Sequence, residues 1–387
     1  MVLAQILGGG DNVISTIVSV LFLVGFFALY PRLMLMQIMQ KLEKSVKELE
    51  ELSASAKKVV LHEIGSKDKR AKESVDRLFE FFAVFPVDLD PSGILRKLDH
   101  TVRGQKARFH EFAAEVAPKA DAEKRASLEA GLSWGMEVHM LAKIVRHYLE
   151  FIKKTKSFQI AMILQMQLPL VEQIARALYR GTKATAKGEP VGDSIGPLAA
   201  AGYIGSARTF KPAEDIVAAR IRMDGRSVIV CKAAGPGGRV GEPGKAVEAL
   251  SRKARISRII TIDAAAKLEG ERTGSVAEGV GVAMGGIGVE RAAIEQVALA
   301  KDIPIDSIVV KMSLEEAIQH LPKAAVDALP EVRAAVSRSL KRAPRQGAVV
   351  LIGVGNTSGV GNNGKAAAKA AEWAKKHHAA LEKAGKK

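Results

Sequence analysis

The chain has 387 residues, 48% of them hydrophobic, and a formal net charge of +16. That length supports more than one core and excludes a disordered polymer. A single cysteine, Cys231, excludes an intramolecular disulfide and any cysteine-built metal cluster.

The charge favours anionic partners, either lipid headgroups or nucleic acid, through long-range attraction. Few aromatics (5%) with abundant Ala and Gly suit helices and Gly-rich loops better than a β-sandwich. Lone-cysteine usage fits a reducing, cytosolic setting for the bulk of the chain. Together with only four asparagines, it suggests a thermophilic source.

In chain order, residues 1–12 carry only Asp11 and read as a short external N-terminus. Residues 13–30 contain no charge, and as a helix they reach about 27 Å, close to the ~30 Å of a bilayer core. No basic region precedes them and Pro31-Arg32 follows, which fits a retained anchor over 13–36 better than a cleaved signal peptide. Arg32, Lys41, Lys44 and Lys47 place the following chain on the cytoplasmic side by the positive-inside rule, giving a single-pass cell-membrane protein with its N-terminus outside.

Residues 37–185 read as an all-helical stalk and bundle. Leu42, Val46, Leu49, Leu52 and Ala56 form one amphipathic stripe, and Leu141, Ile144, Tyr148 and Ile152 another. Asp121 or Ala122 opens a helix. Residues 57–72 are a mixed-charge stretch and 85–91 a Pro-bounded break. The apolar stretch 158–170 holds three glutamines and Pro169, which suits a core or interfacial helix rather than a second span. Residues 181–190 read as a Gly/Lys/Thr linker.

Residues 186–362 then alternate strand and helix patterns. Strands are expected at 216–222, 227–232, 256–262, 305–311 and 348–352, with parallel pairing and right-handed crossovers as the default. Residues 363–387 form a basic Ala/Lys helix. Across 331–387 there are 12 Lys+Arg against three acids. The fold class is therefore α+β overall: a transmembrane helix, an all-helical middle, and a C-terminal α/β domain with a mostly parallel, phosphorylase/hydrolase-like sheet.

Two carboxylates mark that domain. Asp263 follows the β-branched run Ile259-Ile-Thr-Ile262, and Asp193 sits in the turn Gly192-Asp-Ser-Ile-Gly196-Pro197. Ligands of open α/β sheets bind beyond the carboxyl ends of strands, so both are site candidates. By residue type alone they equally suit a turn cap and a strand-end hydrogen-bonder.

Four motifs occur in order: Asp193-Ser-Ile-Gly196-Pro197, Ala234-Gly-Pro-Gly237, Ile262-Asp263-Ala-Ala-Ala266 and Gly286-Ile-Gly288. Over about 130 residues this order resembles the spore germination protease family, whose fold is shared with hydrogenase-maturation peptidases. The resemblance implies that Asp193 and Asp263 are a catalytic pair for peptide hydrolysis. Gly192, Gly196, Gly237, Glu242, Gly286, Gly288, Gly355 and Asn356 would line the cleft.

The family's opening strand and Gly-Leu-Gly-Asn are missing before Asp193. A matching run, Val349-Val-Leu-Ile-Gly353-Val-Gly355-Asn356, lies near the other end of the chain. A circular permutation accounts for this and brings Asn356 beside Asp193. The nickel-binding branch of the fold uses two carboxylates and a histidine, but residues 191–319 hold no histidine and His320 reads as a surface helix residue, so neither metal nor cofactor is expected. Gly353-Val-Gly355 also resembles a phosphate-cradling loop, without a following strand to complete a dinucleotide fingerprint.

The expected function is thus a membrane-anchored, aspartate-dependent peptidase. The alternative is a non-catalytic tether that holds a ribosome, RNA or anionic lipid on its basic surface.

Overall fold

The computed structural model describes residues 13–65, 69–83, 93–286 and 288–384. The N-terminal 12 residues and the Pro-bounded break at 85–91 lie outside the described residues, as do parts of the mixed-charge stretch and of the tail.

Five long helices open the chain: α1 (Val13–Ile64), α2 (Lys69–Phe79), α3 (Ile94–Val116), α4 (Ala122–Thr155) and α5 (Phe158–Lys187). α1 runs unbroken through Pro31. Among the described residues it is the one helix long and apolar enough to cross a membrane. Its residues 17–36 leave large apolar side chains exposed, Phe22 and Phe27 among them. The start of α4 follows from Asp121, whose carboxylate accepts the Lys124 N–H at 2.7 Å as a helix cap.

The chain forms two compact units, one comprising Met1–Leu52 with His139–Ala175 and the other Ser53–Val138 with Arg176–Lys387. In the first, Ile38, Leu42, Val46 and Leu49 of α1 are buried with Ala142, Val145, Leu149 and Ile152 of α4 and Leu168 of α5. Ion pairs from Glu50 to Arg146 (2.6 Å) and from Glu43 to Lys153 (3.1 Å) set α1 and α4 antiparallel. The α4 face is shifted in part from expectation: Ile152 is buried and Leu141 packs on this core as expected, but Ile144 and Tyr148 are exposed and Val145 and Leu149 take their places. Both stripes have helical spacing, so periodicity alone does not choose between them.

In the second unit, Ala56 and Val60 of α1, Val75 and Phe79 of α2, Phe109 and Phe112 of α3, and Leu128 and Leu132 of α4 make one core. α5 continues to Lys187, so most of the expected linker is helical. Thr182 and Thr185 satisfy their hydroxyls on the carbonyls of Leu178 and Gly181. At Gly181 the helix lies so close to the Ile318 backbone that a Cβ would stand 2.8 Å from its carbonyl oxygen. Long-range packing here outweighs local composition.

A one-turn 3₁₀ helix, Gly192–Ser194, leads into α6 (Ile195–Ile204). The rest alternates β1 (Thr209–Phe210), β2 (Ile216–Met223), β3 (Arg226–Ala233), α7 (Pro243–Lys253), β4 (Ile256–Ala266), β5 (Val276–Val280), α8 (Val289–Ala300), β6 (Ile305–Met312), α9 (Leu314–Ile318), α10 (Lys323–Asp327), α11 (Leu329–Arg342), β7 (Ala348–Gly353) and α12 (Gly364–Ala384).

The seven strands form one sheet in the order β1-β2-β3-β7-β4-β6-β5. β3, β7, β4 and β6 run parallel, whereas β2 returns antiparallel to β3 and β5 antiparallel to β6. The expectation of parallel pairing fails at β2–β3 because Asp224-Gly225, both at positive φ, makes a two-residue hairpin turn. β1 and β5 were not anticipated: β1 has two residues, and β5 is Val-Ala-Glu-Gly-Val with an exposed C-terminal half.

β7, the last strand in sequence, is inserted between β3 and β4. Helices α6, α10, α11 and α12 bury one face of the sheet against Val230, Ile260, Ile262, Val349 and Leu351. α7 and α8 bury the other against Ile229, Cys231, Ile259 and Val350.

Candidate active site

The central insertion of β7 sets the site. Gly353 pairs with Lys232 of β3 on one side and with Ile262 of β4 on the other, so residues 354–358 leave the sheet between the carboxyl ends of both neighbours. α6 comes down onto this point through two glycines. A Cβ at Gly196 would lie 2.1 Å from the Val354 oxygen and 2.4 Å from the Ile262 oxygen. At Gly353 it would lie 2.3 Å from the Gly196 oxygen. Only hydrogen fits at these two positions, and their closeness carries Asp193 to the end of the sheet.

Asp193 is fixed from the other side by the β7 exit loop. Gly355, at φ +120°, lets the backbone pass over Asp193, and the next N–H, that of Asn356, donates to Asp193 Oδ2 at 2.7 Å. Asn356 therefore stands beside Asp193, from the opposite end of the domain's sequence. Its Oδ1 accepts the Ser358 N–H at 2.8 Å and its Nδ2 donates to the Gly238 carbonyl at 3.3 Å.

Asp263 lies in β4, which extends three residues beyond it. It is buried at 4% exposure, and its Oδ1 accepts its neighbour Ala264's N–H at 2.7 Å. Burial raises its carboxyl well above the ordinary range, the Asp193 charge raises it further, and the Ala264 and Gly285 N–H groups oppose both. Asp193 is also raised by burial, against the Asn356 N–H. The two carboxyls titrate as a pair: ionising one makes ionising the other harder.

The remaining predicted residues divide by packing. Gly192 is wedged against the Glu316–Ala317 backbone, and Gly237 is pressed on Ala126 of α4 and donates its N–H to Glu123 at 2.6 Å. Gly286 and Gly288 have positive φ, and a Cβ at either would meet nothing within 4 Å, so they border open space next to the Asp263 strand end. Gly288 also caps α8. Glu242 precedes α7 and pairs with Lys245 at 2.7 Å. His320 is half-buried just after α9 rather than on a helix surface. Its ring meets Glu189 at 2.8 Å and lies 4.3 Å from the His377 ring. Among the described residues no group of three or more His, Cys, Asp or Glu side chains is gathered to hold a metal ion.

Sequence reasoning missed the wall behind the pair. Thr357 Oγ1 is buried among the carbonyls of Ala234, Gly237 and Arg239, Arg239 pairs with Glu123 at 2.7 Å, and Gly238 packs on Ala130. Lys232 is fully buried. Its Nζ donates to the Ala233 oxygen (2.8 Å) and to Asn362 Oδ1 (2.9 Å), and burial pushes it down to about 7. The signal for Lys232 was present, since a lysine inside Ser-Val-Ile-Val-Cys-Lys-Ala-Ala is unexpected in a buried strand.

Residues 16–188 match the model of the DUF1512 N-terminal domain, described as a protein of unknown function, and residues 191–361 match that of the DUF1512 C-terminal domain of unknown function. The chain belongs to the DUF1512 family. The boundary between the two DUF1512 models falls immediately before Gly192 and Asp193. No curated protein and no solved structure gives a significant match. The likeness to germination proteases therefore stands on the ordered motifs of this chain alone.

Proposed function

We propose that this DUF1512 protein is a membrane-anchored hydrolase in which Asp193 and Asp263 share one proton and cleave peptide bonds. The observation that carries the proposal is the convergence of two raised carboxyls on the carboxyl ends of the central strands, beside a glycine loop that faces open space. Asp263, with 4% of its surface exposed, is assigned the proton. Asp193, which retains some solvent exposure and an N–H donor, is the base.

Asp193 takes a proton from water as the water oxygen bonds to the scissile carbonyl carbon. Asp263 gives its proton to the amine nitrogen as the C–N bond breaks, and the two residues then exchange roles to restore the pair. The donor set suits this better than nickel, because His320 is taken up by Glu189 and His377.

The test uses the full chain in detergent against a fluorogenic peptide library. Asp193→Asn and Asp263→Asn are each expected to lose on the order of 100-fold or more in cleavage with unchanged circular dichroism. Cleavage by Asp263→Asn at the wild-type rate removes the mechanism. Anchoring through residues 13–36 is supported by the exposed apolar side chains of α1, and an outside N-terminus by Arg32, Lys41, Lys44 and Lys47 that follow. Alkaline carbonate extraction and protease protection of membranes test it.

A second reading, a tether for RNA, a ribosome or anionic lipid, draws on α12. Ala367, Ala370 and Ala374 are buried there, while Lys365, Lys369 and Lys383 are exposed with no ion pair among the described residues. Retained RNA or vesicle binding by an inactive Asp263→Asn protein, lost with rising salt, supports that reading.

A further inference from the structure

At the opposite end of the sheet from the aspartates, where β4, β6 and β7 begin, lies a cleft of about 970 Å³. It is lined by seven cationic side chains: Arg252, Lys253, Arg255, Arg258, Lys301, Arg342 and Arg345. One carboxylate, Asp302, lines it with them.

Some of these cations are already answered. Arg252 pairs with Glu248 (2.5 Å), Arg258 with Asp306 (2.8 Å), and Arg342 with Asp306 (3.1 Å) and Glu278 (3.6 Å). Lys301 donates to the Ser251 carbonyl. Lys253, Arg255 and Arg345 are exposed and have no ion pair among the described residues. Arg258 Nε is buried without a hydrogen-bond partner.

Helix dipoles are the ordinary reason for basic residues here, because α7, α8 and α11 all end at this edge. Arg252 and Lys253 close α7, and Arg342 closes α11. Lys301 keeps its charge against a carbonyl while Asp302 offsets one cation, which leaves three unanswered positive charges, and three helix ends of roughly half a negative charge each offset about one and a half of them. About one to two positive charges remain. Arg255 and Arg345 also lie in no helix. Both line the cleft, and Gly347, at φ +89°, brings the loop that follows Arg345 against the Arg255 backbone, where the Ala348 N–H donates to the Arg255 oxygen at 2.8 Å.

We infer that this cleft binds a small ligand bearing phosphate groups, with Arg255, Arg345 and Lys253 as its unpaired anion contacts. Its volume is that of a small-molecule site, and arginine forks match phosphate oxygens bidentately. No aromatic side chain lines the cleft to stack a base, so the phosphates and not a nucleobase supply recognition. The site is independent of the aspartate pair.

Isothermal titration of the full chain in detergent with inorganic diphosphate tests the inference, run beside Arg255→Gln/Arg345→Gln and Arg252→Gln. The double variant is expected to weaken binding by about tenfold or more, while Arg252→Gln, already spent on Glu248, changes it by less than about threefold. Thermal stability of the double variant should hold or rise, because it removes unpaired like charges. Binding unchanged in the double variant, or no diphosphate heat, overturns the inference. So does binding of an RNA 20-mer or of anionic vesicles without diphosphate binding, which would assign the edge to a macromolecular surface.

Discussion

Replacing Asp263 by Asn tests the paired carboxyls without reference to any substrate. The side chain keeps its shape and loses its charge. In the wild type both carboxyls are raised, chiefly by burial, with Asp193's charge the second cause at Asp263. A raised carboxyl binds its proton more tightly folded than unfolded. Its stabilisation is therefore fully present below the unfolded value near 3.8 and is lost as pH climbs through the folded value.

While the folded pair keeps one proton that the unfolded chain has released, stability should fall by about 1.4 kcal/mol for each pH unit above 4. Asp263→Asn removes that proton, so the variant gains on the wild type as pH rises above 4. Carboxylates elsewhere contribute slopes of both signs: Glu129, Glu137 and Glu290 are raised, chiefly by burial, while others sit below their ordinary values. Asp306 is one: its burial is outweighed by Ser339, Arg342 and Arg258, and it sits below its ordinary value. Such groups act equally in both proteins, so the difference between the two urea-unfolding profiles from pH 4 to 8 isolates the pair. Parallel profiles would show that the two carboxyls do not share a proton, and the proposed acid–base division would fall with them.

Two further substitutions probe the frame of the site. Gly355→Ala puts a Cβ 2.0 Å from the Asp193 oxygen at a φ of +120°, so it should cost about 2 kcal/mol or more and abolish cleavage; a stable, active Gly355→Ala protein would mean that the exit loop does not set Asp193. Lys232→Met removes an amine pushed down to about 7, chiefly by burial. A lysine lowered in the fold makes stability rise with pH between about 7 and its ordinary 10.5, so the variant should flatten that rise and gain up to about 5 kcal/mol at pH 6. A loss of stability at pH 6 would show instead that the Asn362 contact outweighs the burial.

What could be read from the sequence follows the range of the forces involved. The five strands anticipated are buried, β-branched runs, and their own periodicity marks them. β1 and β5 are short or half-exposed edges that exist only because β2 and β6 offer them partners. Helix 181–187 and the buried stripe of α4 were decided by contacts distant in sequence, which composition does not encode. The site divides the same way. Asp193 and Asp263 were visible as carboxylates where apolar runs end, and the shifted Gly353-Val-Gly355-Asn356 run indicated that β7 had to lie next to them. Glu123 and Ala130, on α4, which ends at Thr155 well before Asp193, carried no such mark, because nothing local says that α4 will press on the Gly235–Gly238 loop. A chain whose last strand completes the cleft of its first turn cannot assemble that cleft until β7 is inserted.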